Sequence, residues 1–193
     1  MKITQENVEK ILNDLVLSKS NEDVKNIFIK YNISRKDKNK YPDINFNISA
    51  EEISKLIKDS KITSDYKINT LLSNNDDLTT LEKLFYSMLW KQGDLIKIHN
   101  IISGICGEKT NSIVFNQFGK HLANKNEPII DQHVLRAYVF YKDKTIIKEI
   151  KEEHKKKYSE DYILWIKNNF SSIELNIIDE LLFIIGKEIK KIK

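Results

Sequence analysis

Residues 102–136 read ISGICGEKTNSIVFNQFGKHLANKNEPIIDQHVLR, and the rest of the chain is organised around this stretch. Gly104 and Gly107 predict a turn between two apolar segments, because glycine tolerates tight backbone conformations. Pro128 biases the residue before it away from helical backbone, which predicts an extended connection there. A further helix is predicted from Asp131 onward, since aspartate is a favoured N-cap, the residue that flanks the start of a helix.

The composition of the whole chain favours helices over strands. Its 193 residues suit one ordinary domain, and shares of 40% hydrophobic and 31% charged residues are normal for a globular protein. Two prolines and five glycines are little turn material for a many-stranded β fold. We therefore predict an all-α fold, a compact multi-helix domain over residues 1–193, with an N-terminal helical part (1–75) and a core (76–193).

Apolar residues recur at helical spacing through most of the chain. Thr4 is a plausible N-cap, and Ser49 with Glu52 fits the spacing of a capping box, in which each side chain bonds the backbone amide of the other residue. Leu89 is predicted to face the core, and residues 32–48 are predicted to form a loop. The predicted helices cover residues 4–17, 49–59, 64–73, 78–91, 95–103, 110–122, 131–141 and 158–170, with a short helix from Ser20 or Asn21, an exposed helical segment over 142–157 and a last helix capped by Ser172.

Charge and cysteine usage restrict the classes of function. A net charge of +4 with a pI near 8.9 permits an anionic partner without requiring one, because 28 acidic residues accompany 32 basic ones. The single cysteine, Cys106, excludes an intrachain disulfide and a four-cysteine zinc site. The four histidines show no metal-ligand spacing, so we expect no metal and no cofactor.

The apolar segments also predict the compartment. The first ten residues, MKITQENVEK, are polar and lack the apolar centre of a signal peptide. The longest notable apolar run, Leu181–Ile185, is far too short to span a bilayer. We expect a soluble, cytoplasmic protein without a membrane partner.

The stretch 102–136 also contains the residues with the clearest chemistry. Backbone amides in a glycine turn before a helix can bind phosphate. Lys109, predicted in the first turn of that helix, is either an amine nucleophile or one exposed lysine among many. The carboxylate of Asp131 is predicted to lie at the positive end of a helix dipole, although capping alone explains an aspartate there.

Together, GEKTNSIVFNQFG and the later PIIDQHVLRAY resemble the helix-hairpin-helix DNA glycosylase superfamily. Its members carry a GxGxKTA-type hairpin followed by a PVDTHVxR-type segment. The resemblance implies a reduced and divergent member of the 8-oxoguanine glycosylase and endonuclease III-like fold, with a helix-hairpin-helix-like element. It also implies DNA as a partner and DNA repair as the setting.

The resemblance assigns roles to individual positions. Lys109 matches the lysine that attacks the sugar C1′ and forms a Schiff base in bifunctional members. Asp131 matches the catalytic aspartate, which activates the lysine or stabilises the developing oxocarbenium charge. The implied DNA-binding positions are Gly104, Gly107, Glu108 and Thr110 in the hairpin, and His133 and Arg136 beside the aspartate. The last two match family positions that also support the aspartate's helix and its contacts.

A glycosylase must also hold its flipped base between apolar or aromatic groups. Phe85, Trp90 and Phe118 are candidates for this base pocket by residue type alone, and core packing is the alternative role for each. Two departures from the family pattern concern the site. The hairpin GICGEK has one residue more between its glycines than the family pattern, and Gln132 replaces a small residue beside the aspartate.

Two functions from different classes follow. The first is a DNA glycosylase and abasic-site (AP) lyase that removes a damaged or modified base, with Asp131 and Lys109 as the working pair. The alternative is a non-catalytic module with a glycosylase-like fold that binds DNA or a protein partner. The modest net charge and the altered hairpin favour this alternative.

Overall fold

The computed structural model describes residues 4–34, 44, 46–58 and 78–192. Within these ranges all regular structure is helical and no strand occurs, which confirms the predicted all-α fold. The predicted helix 64–73 and most of the predicted loop 32–48 lie outside the described residues. The described α-helices are α1 (Gln5–Leu17), α2 (Asn21–Lys30), α3 (Ala50–Lys58), α4 (Thr80–Trp90), α5 (Ile98–Ile105), α6 (Ile113–Ala123), α7 (Gln132–Asp143), α8 (Glu152–Asn169) and α9 (Leu175–Ile189).

Local capping explains where several helices begin. The hydroxyl of Thr4 accepts a hydrogen bond from the amide of Asn7 (3.3 Å) at the start of α1, as predicted. The predicted capping box before α3 is also present. There the amide of Ser49 donates to the carboxylate of Glu52 (2.7 Å), and the amide of Glu52 donates to the hydroxyl of Ser49 (3.1 Å). The starts of these two helices depend on residues close together in the chain, so the sequence alone predicts them.

The chain divides into two compact units. The first unit comprises Met1–Lys38 and Pro128–Lys193, and the second comprises Asn39–Glu127. In the first unit, α1 and α2 pack against α9, and α7 packs against α8 and α9. The grouping therefore differs from the predicted subdivision at residue 75, because the first two helices belong with the C-terminal ones.

A close approach of α7 and α9 organises the first unit. A Cβ atom added to Gly186 in α9 would overlap the carbonyl oxygen of His133 in α7, so a side chain there would force the helices apart. The core of the unit is apolar and fully or almost fully buried. It includes Ile11, Leu15, Val139, Phe140, Tyr162, Ile166, Leu181 and Ile185.

The second unit also contains a close pair of helices, α5 and α6. A Cβ atom added to Gly104 would overlap the carbonyl oxygen of Asn116 and lie 3.0 Å from the Cα of Gly119. A Cβ atom on Gly119 would overlap the carbonyl oxygen of Ile101 in the same way. The two helices thus touch backbone to backbone at a pair of facing glycines.

Three local predictions were wrong. Leu89 on α4 was predicted to face inward, but it is 61% exposed. The predicted helical segment over 142–157 is helical only at its two ends, because α7 ends at Asp143 and α8 begins at Glu152. Ser172 was predicted to cap the last helix, but its hydroxyl donates to the carbonyl of Lys19 (3.1 Å), and Glu174 occupies the N-cap position.

In the part of the chain that the structure describes, every helix is too short or too polar to cross a membrane.

Candidate functional site

The connection between α5 and α6 is closed by a Schellman motif, a common way to end a helix on a glycine. Gly107 adopts a left-handed conformation with φ of 77°. Its amide donates to the carbonyl of Gly104 (3.1 Å), and the amide of Glu108 donates to the carbonyl of Ser103 (2.8 Å). Both amides are engaged in capping α5. They are the amides that sequence reasoning assigned to a DNA phosphate.

Gly104 was predicted to lie in the turn, which is wrong. It lies in the last turn of α5 and is buried against α6, where it faces Asn116 and Gly119. The need for close helix packing explains this glycine. A phosphate contact through its backbone has no room on the face that meets α6.

Lys109 and Thr110 lie in the connection before α6, which begins at Ile113. The predicted position of Lys109 in the first helical turn is therefore wrong, although the side chain is exposed. Thr110 is half-buried, and within the described residues its Oγ1 has no hydrogen-bond partner. The connection is fixed by Asn116, whose side-chain amide donates to the carbonyl of Glu108 (2.8 Å).

Asp131 caps α7, as the sequence predicted. Its Oδ1 accepts hydrogen bonds from the amides of His133 (2.5 Å) and Val134 (2.9 Å). The carboxylate is half-buried at the positive end of the helix dipole. The two amides hold it in one orientation, which is the preorganisation that an electrostatic catalyst needs.

Arg136 was grouped with the DNA-binding positions and was also expected to support the helix that Asp131 begins. The side chain is fully buried, so its guanidinium cannot reach a phosphate on the surface. Its donors are directed at three carbonyls: Nε to Ile147 (2.8 Å), Nη1 to Gly186 (3.1 Å) and Nη2 to Lys148 (3.2 Å). The arginine therefore joins α7 to α9 and to the segment that precedes α8.

His133 is held by the same guanidinium. Its Nδ1 lies 3.0 Å from Nη1 of Arg136, and its ring meets the ring of Phe183 edge-on at 4.7 Å. Because arginine only donates, Nδ1 must be the acceptor and the neutral imidazole carries its proton on Nε2. Burial lowers the pKa of His133, and the positive charges of Arg136, Lys187 and Lys190 lower it further, against the opposing effect of Asp131.

Two of the three predicted base-pocket residues lie together. The rings of Trp90 and Phe118 are stacked, with centroids 5.2 Å apart and planes 8° apart. Phe118 also lies parallel to the ring of His121 at 6.5 Å. Phe118 is fully buried, which agrees with its alternative role in the core. Phe85 is half-buried on α4.

Sequence reasoning missed His121 as a residue of interest. Its Nδ1 lies 2.7 Å from the carbonyl oxygen of Glu127, so Nδ1 carries the proton and donates. Burial, with the nearby Lys125 and Lys91, lowers its pKa to about 4. The signal that could have found it is its spacing of three residues from Phe118, which places both on one face of α6.

Lys125 was also overlooked. Within the described residues its Nζ is buried and has no hydrogen-bond partner, and burial lowers the pKa of the amine. It lies in a turn in which the amide of Glu127 donates to the carbonyl of Asn124 (2.9 Å). Nothing in the local sequence distinguishes this lysine from its exposed neighbours.

Two further kinds of site were considered in this part of the chain: a nucleophilic thiol at Cys106 and a metal site. Cys106 is the exposed C-cap of α5, and partial burial together with the carboxylate of Glu108 raises the pKa of its thiol. A raised pKa makes a thiol a poorer nucleophile at neutral pH. Across the described ranges, no three His, Cys, Asp or Glu side chains are grouped to hold a metal ion.

The two predicted catalytic residues belong to different units. Lys109 lies in the second unit and Asp131 in the first. Their predicted partnership stays a prediction, as does the helix-hairpin-helix-like element.

Comparison with known proteins gives no family: no protein-family model matches the chain, and no curated protein and no solved structure matches it. The resemblance to the glycosylases therefore rests on the residues of the stretch 102–136.

Proposed function

We propose that the chain is a DNA N-glycosylase with AP lyase activity, which removes a damaged or modified base from DNA. The observation that carries this proposal is the geometry at Asp131. Its carboxylate is fixed by two backbone amides at the start of α7, within the PIIDQHVLRAY segment that resembles the glycosylases. An oriented carboxylate is suited to stabilise the oxocarbenium charge that develops at the sugar C1′.

Lys109 supplies the nucleophile in this proposal. Its side chain is exposed in the connection between α5 and α6. The deprotonated amine attacks C1′, the new N–C1′ bond forms as the N-glycosidic bond breaks, and the base leaves with the bonding electron pair and takes up a proton. Opening of the sugar ring gives a Schiff base, from which β-elimination releases the 3′ phosphate.

The glycine-turn amides have no part in DNA binding in this proposal. The amides of Gly107 and Glu108 cap α5, and Gly104 packs against α6. Contacts to the DNA backbone are therefore assigned to side chains, beginning with the exposed Lys109. Side-chain ammonium groups bind phosphate with a strong dependence on salt.

Borohydride trapping tests the proposal. A duplex with one abasic site is incubated with the protein and a borohydride, which reduces any Schiff base to a stable amine. Wild-type protein should give a covalent adduct, Lys109→Gln should not, and Lys55→Gln should behave as wild type because Lys55 is an exposed lysine of the same unit. Absence of an adduct with wild-type protein contradicts the lyase activity.

A second variant tests the carboxylate without removing the helix cap. Asparagine caps helices about as well as aspartate, so Asp131→Asn should keep α7 intact while removing the negative charge. We expect a loss of base excision of roughly 100-fold or more, comparable to the loss of one preorganised electrostatic group. Unchanged excision by Asp131→Asn assigns the residue to capping alone.

The alternative function is a non-catalytic module that binds DNA or a protein partner. It is favoured by the engagement of the Gly107 and Glu108 amides in the cap and by the burial of Arg136. DNA binding that weakens steeply with salt but gives no trapped adduct supports a DNA-binding module. No DNA binding at low salt supports a protein partner.

A further inference from the structure

Three basic groups gather where α4 and α6 end in the second unit: Lys91, His121 and Lys125, here called the basic cluster. Lys91 is the C-cap of α4, and His121 lies in the last turn of α6. Lys125 follows in the turn after α6. Their geometry and charge have no role in the proposed glycosylase chemistry.

The imidazole of His121 is held through Nδ1, which leaves Nε2 as the ring nitrogen that can accept. Its Nδ1–H donates to the carbonyl oxygen of Glu127 (2.7 Å), which fixes the ring and its tautomer. The ring also lies parallel to Phe118, with centroids 6.5 Å apart. In this neutral tautomer Nε2 carries a lone pair, so it accepts a hydrogen bond or takes up a proton.

Lys125 is the least satisfied member of the cluster. A buried ammonium group that lacks an acceptor costs free energy, so such groups are normally paired. Within the described residues, no protein group accepts a hydrogen bond from its Nζ. Capping of α6 does not explain the lysine either, because Nζ donates to none of the described helical carbonyls.

Lys91 adds the second ammonium group. Its Nζ lies 5.4 Å from the ring centroid of Phe118 and 5.8 Å from that of Trp90. A cation over aromatic faces is held in place without losing its charge. Among the charged groups near His121, the ammonium groups of Lys125 and Lys91 lower the pKa of the ring, each by more than the carboxylate of Glu127 raises it.

We propose that the basic cluster is a phosphate-binding site, formed by the ammonium groups of Lys125 and Lys91 and by Nε2 of His121. Phosphate oxygens accept from both ammonium groups. Nε2 accepts from the O–H of a hydrogen phosphate or, once it is protonated, donates to a phosphate oxygen. The carboxylate of Glu127 also lies near His121, where it is one negative charge beside the two ammonium groups, and its Oε2 accepts from the side-chain amide of Gln117 (3.0 Å). The site is independent of the proposed glycosylase activity.

NMR titration of the histidine rings with inorganic phosphate, at an ionic strength held constant with chloride, tests the site. Phosphate should raise the pH at which His121 titrates, because a bound anion favours the protonated imidazole. His133 in the first unit should not respond. Lys125→Met should weaken phosphate binding by at least about tenfold, the effect of losing one charge-assisted hydrogen bond.

Matched variants separate binding from folding. Lys91→Met should weaken binding, whereas Lys97→Met should not, although Lys97 lies over the ring of Phe115 at a similar distance (5.1 Å). Lys125→Met should keep or raise the melting temperature, because it replaces a buried ammonium without an acceptor by an apolar chain of similar length. A clearly lower melting temperature contradicts the absence of a protein partner for Nζ.

A duplex oligonucleotide identifies the source of the phosphate. The same Lys125-dependent shift of His121 with duplex DNA assigns the site to a phosphodiester. A shift with inorganic phosphate alone assigns it to free phosphate or a phosphomonoester. A His121 titration that moves with neither ligand overturns the proposal, whatever the outcome of borohydride trapping.

Discussion

At the scale of single residues, Arg136 is the most informative side chain of the first unit. Its guanidinium is fully buried and serves the carbonyls of Ile147, Lys148 and Gly186. A guanidinium has five N–H donors in a fixed plane, so one arginine can serve several carbonyls at once. The resemblance to the glycosylases grouped this residue with the DNA-binding positions. In the structure its hydrogen bonds link α7 to α9 and to the segment before α8.

Replacement of this arginine should be strongly destabilising. Arg136→Met removes the hydrogen-bond donors to three backbone carbonyls, and we expect a loss of roughly 3–5 kcal/mol in the free energy of unfolding. Lys156→Met, at an exposed position on α8, is the control and should change stability by less than about 0.5 kcal/mol. Urea denaturation measures both, and a loss below about 1 kcal/mol for Arg136→Met contradicts the bracing role.

The buried imidazole of His121 predicts acid sensitivity. Its pKa falls from 6.5 to about 4 on folding. A depressed histidine pKa means that the unfolded chain binds the proton first, so the stabilising contribution is complete above pH 6.5 and is lost as the pH falls towards 4. The loss amounts to at most about 3 kcal/mol. His133, whose pKa is also lowered, contributes in the same direction.

Urea denaturation at several pH values between 7 and 4 checks this prediction. His121→Gln removes the titrating group and retains an amide N–H for the carbonyl of Glu127, so its stability should depend less on pH than that of the wild type. Equal pH dependence of the two proteins contradicts the assignment to His121.

At the scale of elements, the contact between α5 and α6 depends on two facing glycines. Gly104→Ala places a methyl group against the carbonyl oxygen of Asn116. Because backbone cannot yield as a side chain can, we expect a loss of at least about 3 kcal/mol. Gly107→Ala is the matched control. It meets open space but keeps a positive φ, so it should cost only about 1–2 kcal/mol. Thermal unfolding measures the loss of stability in both variants. A larger loss for Gly107→Ala than for Gly104→Ala contradicts this packing.

The same elements show what sequence reveals. The caps at Thr4, Ser49 and Asp131 were predicted correctly because a cap involves residues two or three positions apart. Gly104 was misplaced because its partner, Gly119, lies on the next helix. The acceptor that Arg136 finds on Gly186 was not predicted, because the two residues are distant in sequence. Hydrogen bonds between near neighbours can be predicted from residue type and spacing along the chain. Helix packing cannot be predicted in this way, because its partners lie far apart in the sequence.

At the scale of the whole molecule, the all-α fold follows from helical periodicity and scarce turn residues, and the described residues bear it out. The grouping into two units was not predicted from the sequence, because it depends on the packing of α1 and α2 with the last helix of the chain. Lys109 and Asp131 keep the order that the resemblance requires, while the hairpin amides and Arg136 serve the fold. The proposed chemistry therefore rests on these two side chains.

Identification of the lysine in a borohydride-trapped adduct tests this account most directly. The protein is trapped on an abasic-site duplex, digested with a protease and a nuclease, and the modified peptide is sequenced by mass spectrometry. The account predicts a single modified residue, Lys109. An adduct on Lys125 or another lysine, or no adduct at all, contradicts it.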